Sequence, residues 1–234
     1  MPRAAVSDRH GLIDTITDNI APVHNDGYKF LAIGAGVTLL LFLLWPPLAW
    51  IAYFFRDPTR VTPLREGLVV APGDGRISAI ERVRPPPELA LGESERMRVS
   101  IFLSVFDVHI NRAPVAGRIV RSIYVPGSFL NAALDKASEE NERRSLVIAM
   151  ADGTEIAVVQ IAGLIARRIV TFVSEGDSVG IGERFGLIRF GSRVDLYLPP
   201  GRGSLVAVGQ RAIGGETVFA DLKSNEMDRE ARAL

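Results

Sequence analysis

Between Phe30 and Phe55 the chain reads FLAIGAGVTLLLFLLWPPLAWIAYFF, without a single charged residue. This stretch exceeds the roughly 20 apolar residues that carry a helix across a bilayer. A polar leader, residues 1–29, precedes it and is too long for a secretory signal; no small-residue cleavage site follows. Pro46 and Pro47 interrupt the segment, and a double proline breaks or sharply kinks a helix. Two membrane geometries follow: one kinked span, or a re-entrant hairpin in one leaflet. Trp45, Trp50 and Tyr53 suit the interface level. Lys29 lies before the segment and Arg56, Arg60 and Arg65 after it, so flanking charge does not settle orientation. The competing soluble reading is a buried pair of core helices.

After Pro63 the pattern changes to short runs rich in valine and isoleucine, separated by glycine and proline turns. Such spacing predicts an all-β domain. The one good helical stretch there is Asn131–Glu142, NAALDKASEENE. The organisation is therefore a leader (1–29), a hydrophobic segment (30–55), a β-rich domain (56–222) and a polar tail (223–234). Two internal echoes run through the β-rich part. APGDGRI (71–77) recurs as APVAGRI (113–119), and EGDSVGIGERF (175–185) recurs as VGQRAIGGETV (208–218). Gly176, Gly182 and Glu183 match Gly209, Gly215 and Glu216. The expected fold is mainly β, with two similar halves resembling the barrel-sandwich hybrid of lipoyl and biotinyl domains.

Composition removes several function classes. Lysine plus arginine equals aspartate plus glutamate, 27 each among 234 residues, so no net-basic face is available for nucleic acid. There is no cysteine, which excludes thiol catalysis and disulfide scaffolds. Of three histidines, His10 and His24 lie in the leader, leaving only His109 in the β-rich part. That set cannot fill a zinc site, and no metal is expected. GIGERFG fits the loose glycine spacing of a dinucleotide fingerprint, yet it lies between strands and lacks the strand–loop–helix context.

Three residues stand out. In RFGSRVDLYLP, Val194, Leu196 and Leu198 share one strand parity, and Ser192 falls among them, directly after Gly191. Strand side chains alternate between faces, so this hydroxyl points to the core side. Two other Gly-Ser pairs exist, at 127–128 and 203–204. His109 follows an apolar run, and Asp74 sits in a Pro-Gly-Asp-Gly turn. Each has a plain reading: a small core residue bonded to backbone, a half-buried histidine, and ordinary turn chemistry. Together they also fit nucleophile chemistry, in which a hydroxyl needs a base and the base an orienting group.

Over nearly its whole length the chain resembles the phosphatidylserine decarboxylases in their short bacterial and archaeal form. The resemblance rests on FFRDPTR (54–60), APGDG (71–75), FDVHINRAPVAGRI (106–119), YVPGSFLNA (124–132) and FGSRVDLYLP (190–199). It implies a proenzyme in which Ser192 attacks the carbonyl of Gly191. β-Elimination then leaves a β chain, 1–191, and an α chain, 192–234, that begins with a pyruvoyl group. The pyruvoyl forms a Schiff base with the serine amine of the lipid, and phosphatidylethanolamine and carbon dioxide result. The resemblance further implies an Asp-His-Ser relay, with Asp74 and Ser192 at matching positions and His109 at the first of two histidine positions in the family's pattern. Larger relatives carry a second histidine three residues on, where this chain has Arg112. Either His109 serves both self-cleavage and later proton transfer, which is the expected arrangement, or the short form manages cleavage differently; Asp107 is a second candidate for orienting His109.

The substrate's phosphodiester and carboxylate call for basic groups, and Arg112, Arg167 and Arg168 are candidates, since the guanidinium fork suits phosphate. The expected setting is the inner cell membrane with the catalytic domain on the cytoplasmic side; phosphatidylserine in the bilayer is the expected partner, and a homodimer is a further candidate. Two rivals remain at this stage: a membrane-anchored barrel-sandwich adaptor without catalysis, and a soluble pyruvoyl-dependent amino-acid decarboxylase.

Overall fold

The computed structural model describes residues 27–128, 140–163, 168–189, 192–226 and 228–232. Residues 1–26 of the leader, most of the helical stretch 131–142, Arg167 and Gly191 lie outside them. By its internal packing the chain divides into two units, Met1–Trp50 and Ile51–Leu234.

The uncharged segment forms one helix, α1 (Gly27–Phe54), which runs unbroken through Pro46 and Pro47. The prolines remove two N–H donors but do not end it. The helix does not fold back as a hairpin, and it is a candidate membrane span. At about 1.5 Å per residue the helix is roughly 42 Å long, against about 30 Å of bilayer hydrocarbon. Its large side chains are exposed, Phe42 at 73% and Trp45 at 67%. That exposure does not fit a buried core pair, and α1 is long and apolar enough to cross a membrane.

The second unit is built of thirteen strands among the described residues: β1 (Leu68–Val70), β2 (Gly75–Val83), β3 (Arg96–Leu103), β4 (Ile110–Arg112), β5 (Gly117–Val125), β6 (Arg143–Ala149), β7 (Glu155–Ala162), β8 (Ile169–Thr171), β9 (Ser178–Val179), β10 (Arg184–Ile188), β11 (Ser192–Tyr197), β12 (Arg211–Ala212) and β13 (Val218–Asp221). Eight form one sheet in the order β12-β2-β3-β11-β7-β6-β5-β9; β1 pairs with β13, and β4-β10-β8 form a third sheet.

That eight-strand order is a palindrome in structure. β12-β2-β3-β11 on one side mirrors β9-β5-β6-β7 on the other, and the echoed sequences occupy matching places. Ile77 O accepts from Gly209 N and Ile77 N donates to Gln210 O; Ile119 does the same with Gly176 and Asp177. Gly215 N donates to Ala71 O, as Gly182 N does to Ala113 O. Both β2 and β5 carry a register shift just past these isoleucines. The four matched glycines take positive φ, 97° and 90° at Gly176 and Gly209 and 76° and 80° at Gly182 and Gly215. Only glycine enters that region without penalty, which is why the echo preserves these positions.

The larger core lies between the layers and gathers Ile77, Ile101, Leu103, Ile119, Ile148, Val194 and Leu196, all at 1% exposure or less. A smaller cluster on the opposite face of the eight-stranded sheet holds Leu89, Val147, Val159, Ile161 and Tyr197. β11 is central, so both its faces are covered. The polar parity of RVDLY is buried too, and Arg193 and Asp195 meet that by pairing through two 2.7 Å hydrogen bonds.

Candidate active site

Ser192 opens β11, opposite Leu103 of β3 on one side and Ala162 of β7 on the other. It is fully buried, and its Oγ has no hydrogen-bond partner among the described residues. A buried polar atom left unpaired costs about 1–3 kcal/mol, so it calls for a reason. The other Gly-Ser serines differ. Ser204 is as deeply buried, but its hydroxyl donates to Val206 O at 3.1 Å. Ser128 is exposed. Of the three, Ser192 alone combines full burial with an unpaired hydroxyl.

His109 stands at the end of the loop that leaves β3. That loop is held tightly. Asp107 accepts from Ser104 N at 2.8 Å and from Arg211 at 2.6 Å, while Arg56 donates to Phe106 O at 2.7 Å. The Asp107 carboxylate is thus spent on the loop, and its backbone carbonyl orients the imidazole instead, 3.0 Å from Nδ1. A carbonyl only accepts, so Nδ1 carries the hydrogen and the lone pair sits on Nε2. The ring packs against Phe54, with centroids 4.2 Å apart and planes at 35°. Burial pushes its pKa down to about 4, against the opposing pull of the Asp107 carbonyl and charge, with Arg56 adding to the fall. At neutral pH, His109 is a neutral base.

Asp74 is buried in the turn before β2, and its carboxylate bonds run elsewhere than to the histidine. Oδ2 accepts from Arg60 at 2.6 Å and Oδ1 from Gly214 N at 2.8 Å. Arg112, in the place of the second histidine, gives its guanidinium to Asp57 at 3.0 Å, to Pro58 O at 3.2 Å and to Gly182 O at 3.0 Å. Arg168 has an exposed side chain, and its carbonyl accepts from Arg189 N at 3.2 Å.

These contacts reveal what FFRDPTR does. The segment after α1 is a strap whose polar groups each grip a different turn. Asp57 also holds Arg184 at 2.6 Å, and Val61 N donates to Glu216 at 3.0 Å. Thr62 sits against the matched glycines Gly182 and Gly215, leaving no room for a Cβ on Gly182. The strap binds both halves at their equivalent turns. Sequence reasoning had the motif but not this role, because each partner lies many residues away. Asn111, in β4 two residues beyond His109, is a further fully buried polar residue.

A model of the family described as phosphatidylserine decarboxylase matches residues 48–220. The phosphatidylserine decarboxylase proenzyme of Cereibacter sphaeroides (strain ATCC 17025 / ATH 2.4.3) is 57% identical over 229 residues, which cover 94% of this chain and 99% of that protein. The chain is therefore of a decarboxylase class, a carboxy-lyase, and the non-catalytic adaptor reading falls away. The chain is a member of the phosphatidylserine decarboxylase family.

Proposed function

We propose that this chain is made as a proenzyme, cuts itself between Gly191 and Ser192, and then converts phosphatidylserine to phosphatidylethanolamine and carbon dioxide at a membrane. The observation that carries the reading is Ser192 itself, a fully buried hydroxyl with no partner among the described residues, at the head of a central strand. Its Oγ attacks the Gly191 carbonyl while Nε2 of His109 takes the hydroxyl proton. The peptide nitrogen leaves with a proton, and an ester results. Loss of the Ser192 Cα proton then breaks the Cβ–O bond and frees the Gly191 carboxylate. Water enters, ammonia leaves, and the new N-terminus is pyruvoyl. Burial favours this elimination, because bulk water would otherwise hydrolyse the ester.

The unpaired hydroxyl and the space-saving glycine before it suit a group built in place from Ser192. Once formed, the pyruvoyl supplies the electron sink for loss of carbon dioxide. The chain's own residues supply the rest. β11 keeps the α chain, 192–234, bound to the β chain, 1–191, through its ladders to β3 and β7. His109, neutral and fixed in tautomer, exchanges protons with the reacting centre. Asp74 acts by holding its turn against Arg60 and Gly214. Arg168, and Arg167 beside it in sequence, are the basic groups for the anionic head group, since the donors of Arg112 go to the strap. α1 anchors the enzyme in the cell membrane, with the catalytic unit on the cytoplasmic side.

The test is a denaturing gel of purified protein with mass measurement. Two chains are expected, the smaller being residues 192–234 with a pyruvoyl-blocked N-terminus. Ser192→Ala is expected to stay whole and inactive. An active preparation made of one intact chain overturns the reading.

A further inference from the structure

Three polar atoms on the core side of the site have no hydrogen-bond partner among the described residues: Ser192 Oγ, Asn111 Nδ2 and Gln160 Oε1. All three side chains are fully buried. Asn111 and Gln160 bond to each other, Gln160 Nε2 donating to Asn111 Oδ1 at 2.7 Å. With that bond made, Asn111 Nδ2 and Gln160 Oε1 are left spare. Two unpaired amide atoms in one dyad cost about 1–3 kcal/mol each, so the pair calls for a reason.

Their placement points to Ser192. Gln160 lies opposite Val194, and Ala162 lies opposite Ser192, so Gln160 and Ser192 share one face of adjoining strands. Asn111 lies in β4, two residues beyond His109. A Cβ on Gly73 would stand 3.1 Å from Asn111 Nδ2 and 3.7 Å from Leu103 Cδ2, which puts the spare amide nitrogen alongside Leu103, the cross-strand partner of Ser192. Gly73, lacking a side chain, leaves that nitrogen clear.

We propose that Asn111, held in place by Gln160, donates the Nδ2–H hydrogen bond to the oxygen that becomes negative when Ser192 Oγ attacks the Gly191 carbonyl. In that step the Oγ–C bond forms, the C=O π pair moves onto oxygen, and the hydroxyl proton goes to His109. The oxygen then carries a full charge inside an apolar core, where a preoriented donor counts most. When the C–N bond breaks, the pair returns and the amide is again unpaired. Asn111 is thus a catalytic residue of self-processing, and Gln160 positions it. This rests on the self-processing reading above.

The experiment follows the cutting rate of freshly synthesised full-length chain in detergent, beside its melting temperature. Asn111→Leu is expected to slow cutting by about 100-fold, the typical cost of losing one oxyanion donor. Because a lone substitution strands Gln160, the deciding variant is Asn111→Leu with Gln160→Leu, which replaces both partners by apolar groups and should preserve folding. It is expected to melt near the parent and to cut as slowly as the single variant. A double variant that melts near the parent and cuts within about threefold of its rate overturns the proposal. Ser192→Ala runs alongside. If it is cut at the parent rate, the self-processing reading falls; if it stays whole while the double variant cuts normally, only the role of Asn111 falls.

Discussion

The ring of Phe54 lies 4.2 Å from the ring of His109, tilted by 35°, and Phe54 is only 1% exposed. The last side chain of α1 therefore forms part of the wall that keeps the imidazole dry. Phe54→Ala should let water reach the ring and raise the His109 pKa toward its ordinary value. The acid limb of the self-cutting rate then moves upward by one or more pH units, while Phe54→Leu, still apolar, stays near the parent. A cutting-rate profile against pH for the three proteins checks this; an unmoved limb in Phe54→Ala shows that other groups seal the site.

The same burial sets a pH dependence of stability. His109 titrates near 6.5 when unfolded and at about 4 when folded. Its folded pKa is depressed, so protons bind the unfolded state more readily. The histidine's contribution is fully present above pH 6.5 and is lost as pH falls toward 4. The loss amounts to roughly 3 kcal/mol at most, at about 1.4 kcal/mol per unit. Urea titrations between pH 7.5 and 4.5 should show this slope in the uncut Ser192→Ala chain and a shallower one in Ser192→Ala with His109→Gln. Equal slopes would exclude His109 as the source.

Arg60 and Asp74 form an ion pair with both side chains 12% exposed. Removing the arginine alone leaves a largely buried carboxylate that keeps, among the described residues, the Gly214 N–H. Arg60→Ala should cost about 3 kcal/mol, in the range for breaking a buried pair. Adding Asp74→Asn to it should recover part of that loss, because a neutral amide needs no counter-charge. A double-mutant cycle measured by denaturant unfolding checks the coupling.

Gly182 meets Thr62 where the strap crosses the two matched turns, and its φ is 76°. Gly182→Ala adds a Cβ to both a strained backbone and an occupied space, and should destabilise the chain by about 1–3 kcal/mol. Gly153→Ala has similar φ, 81°, but nothing near its Cβ position, and should cost less. Thermal melts of the two separate the steric part from the conformational part.

The symmetry of the sheet adds a detail that neither echo shows. Arg76, Phe102 and Arg193 lie in register across β2, β3 and β11, as Arg118, Ala149 and Glu155 do across β5, β6 and β7. One residue back, Ser192 then corresponds to Thr154 and Gly191 to Gly153. In one half this Gly-Thr closes an ordinary hairpin between β6 and β7, with Met150 N donating to Thr154 O at 2.9 Å. In the other half the equivalent strands β3 and β11 are far apart in sequence. The hairpin constraint is absent there, and the Gly-Ser is the proposed cutting point.

Much of this was legible in the residues. Strand alternation placed Ser192 on the core face, and glycine at matched turns announced two similar halves. A long uncharged run announced α1. These signals are local: side-chain parity, φ preference and hydropathy depend on a residue and its near neighbours, so they survive in one dimension. Other assignments depended on which distant turns meet. Arg112 suits a phosphate on its chemistry, yet the fold brings Asp57 and Pro58 to it. Asp74 suits a relay, yet its charge is met by Arg60. Asn111 looked like one polar residue in a strand until closure of the two halves set it beside Gln160 and buried both. A charged or polar group takes whichever partner the packed chain delivers. That delivery is decided by long-range strand pairing and the strap across the turns, which no short window of sequence contains.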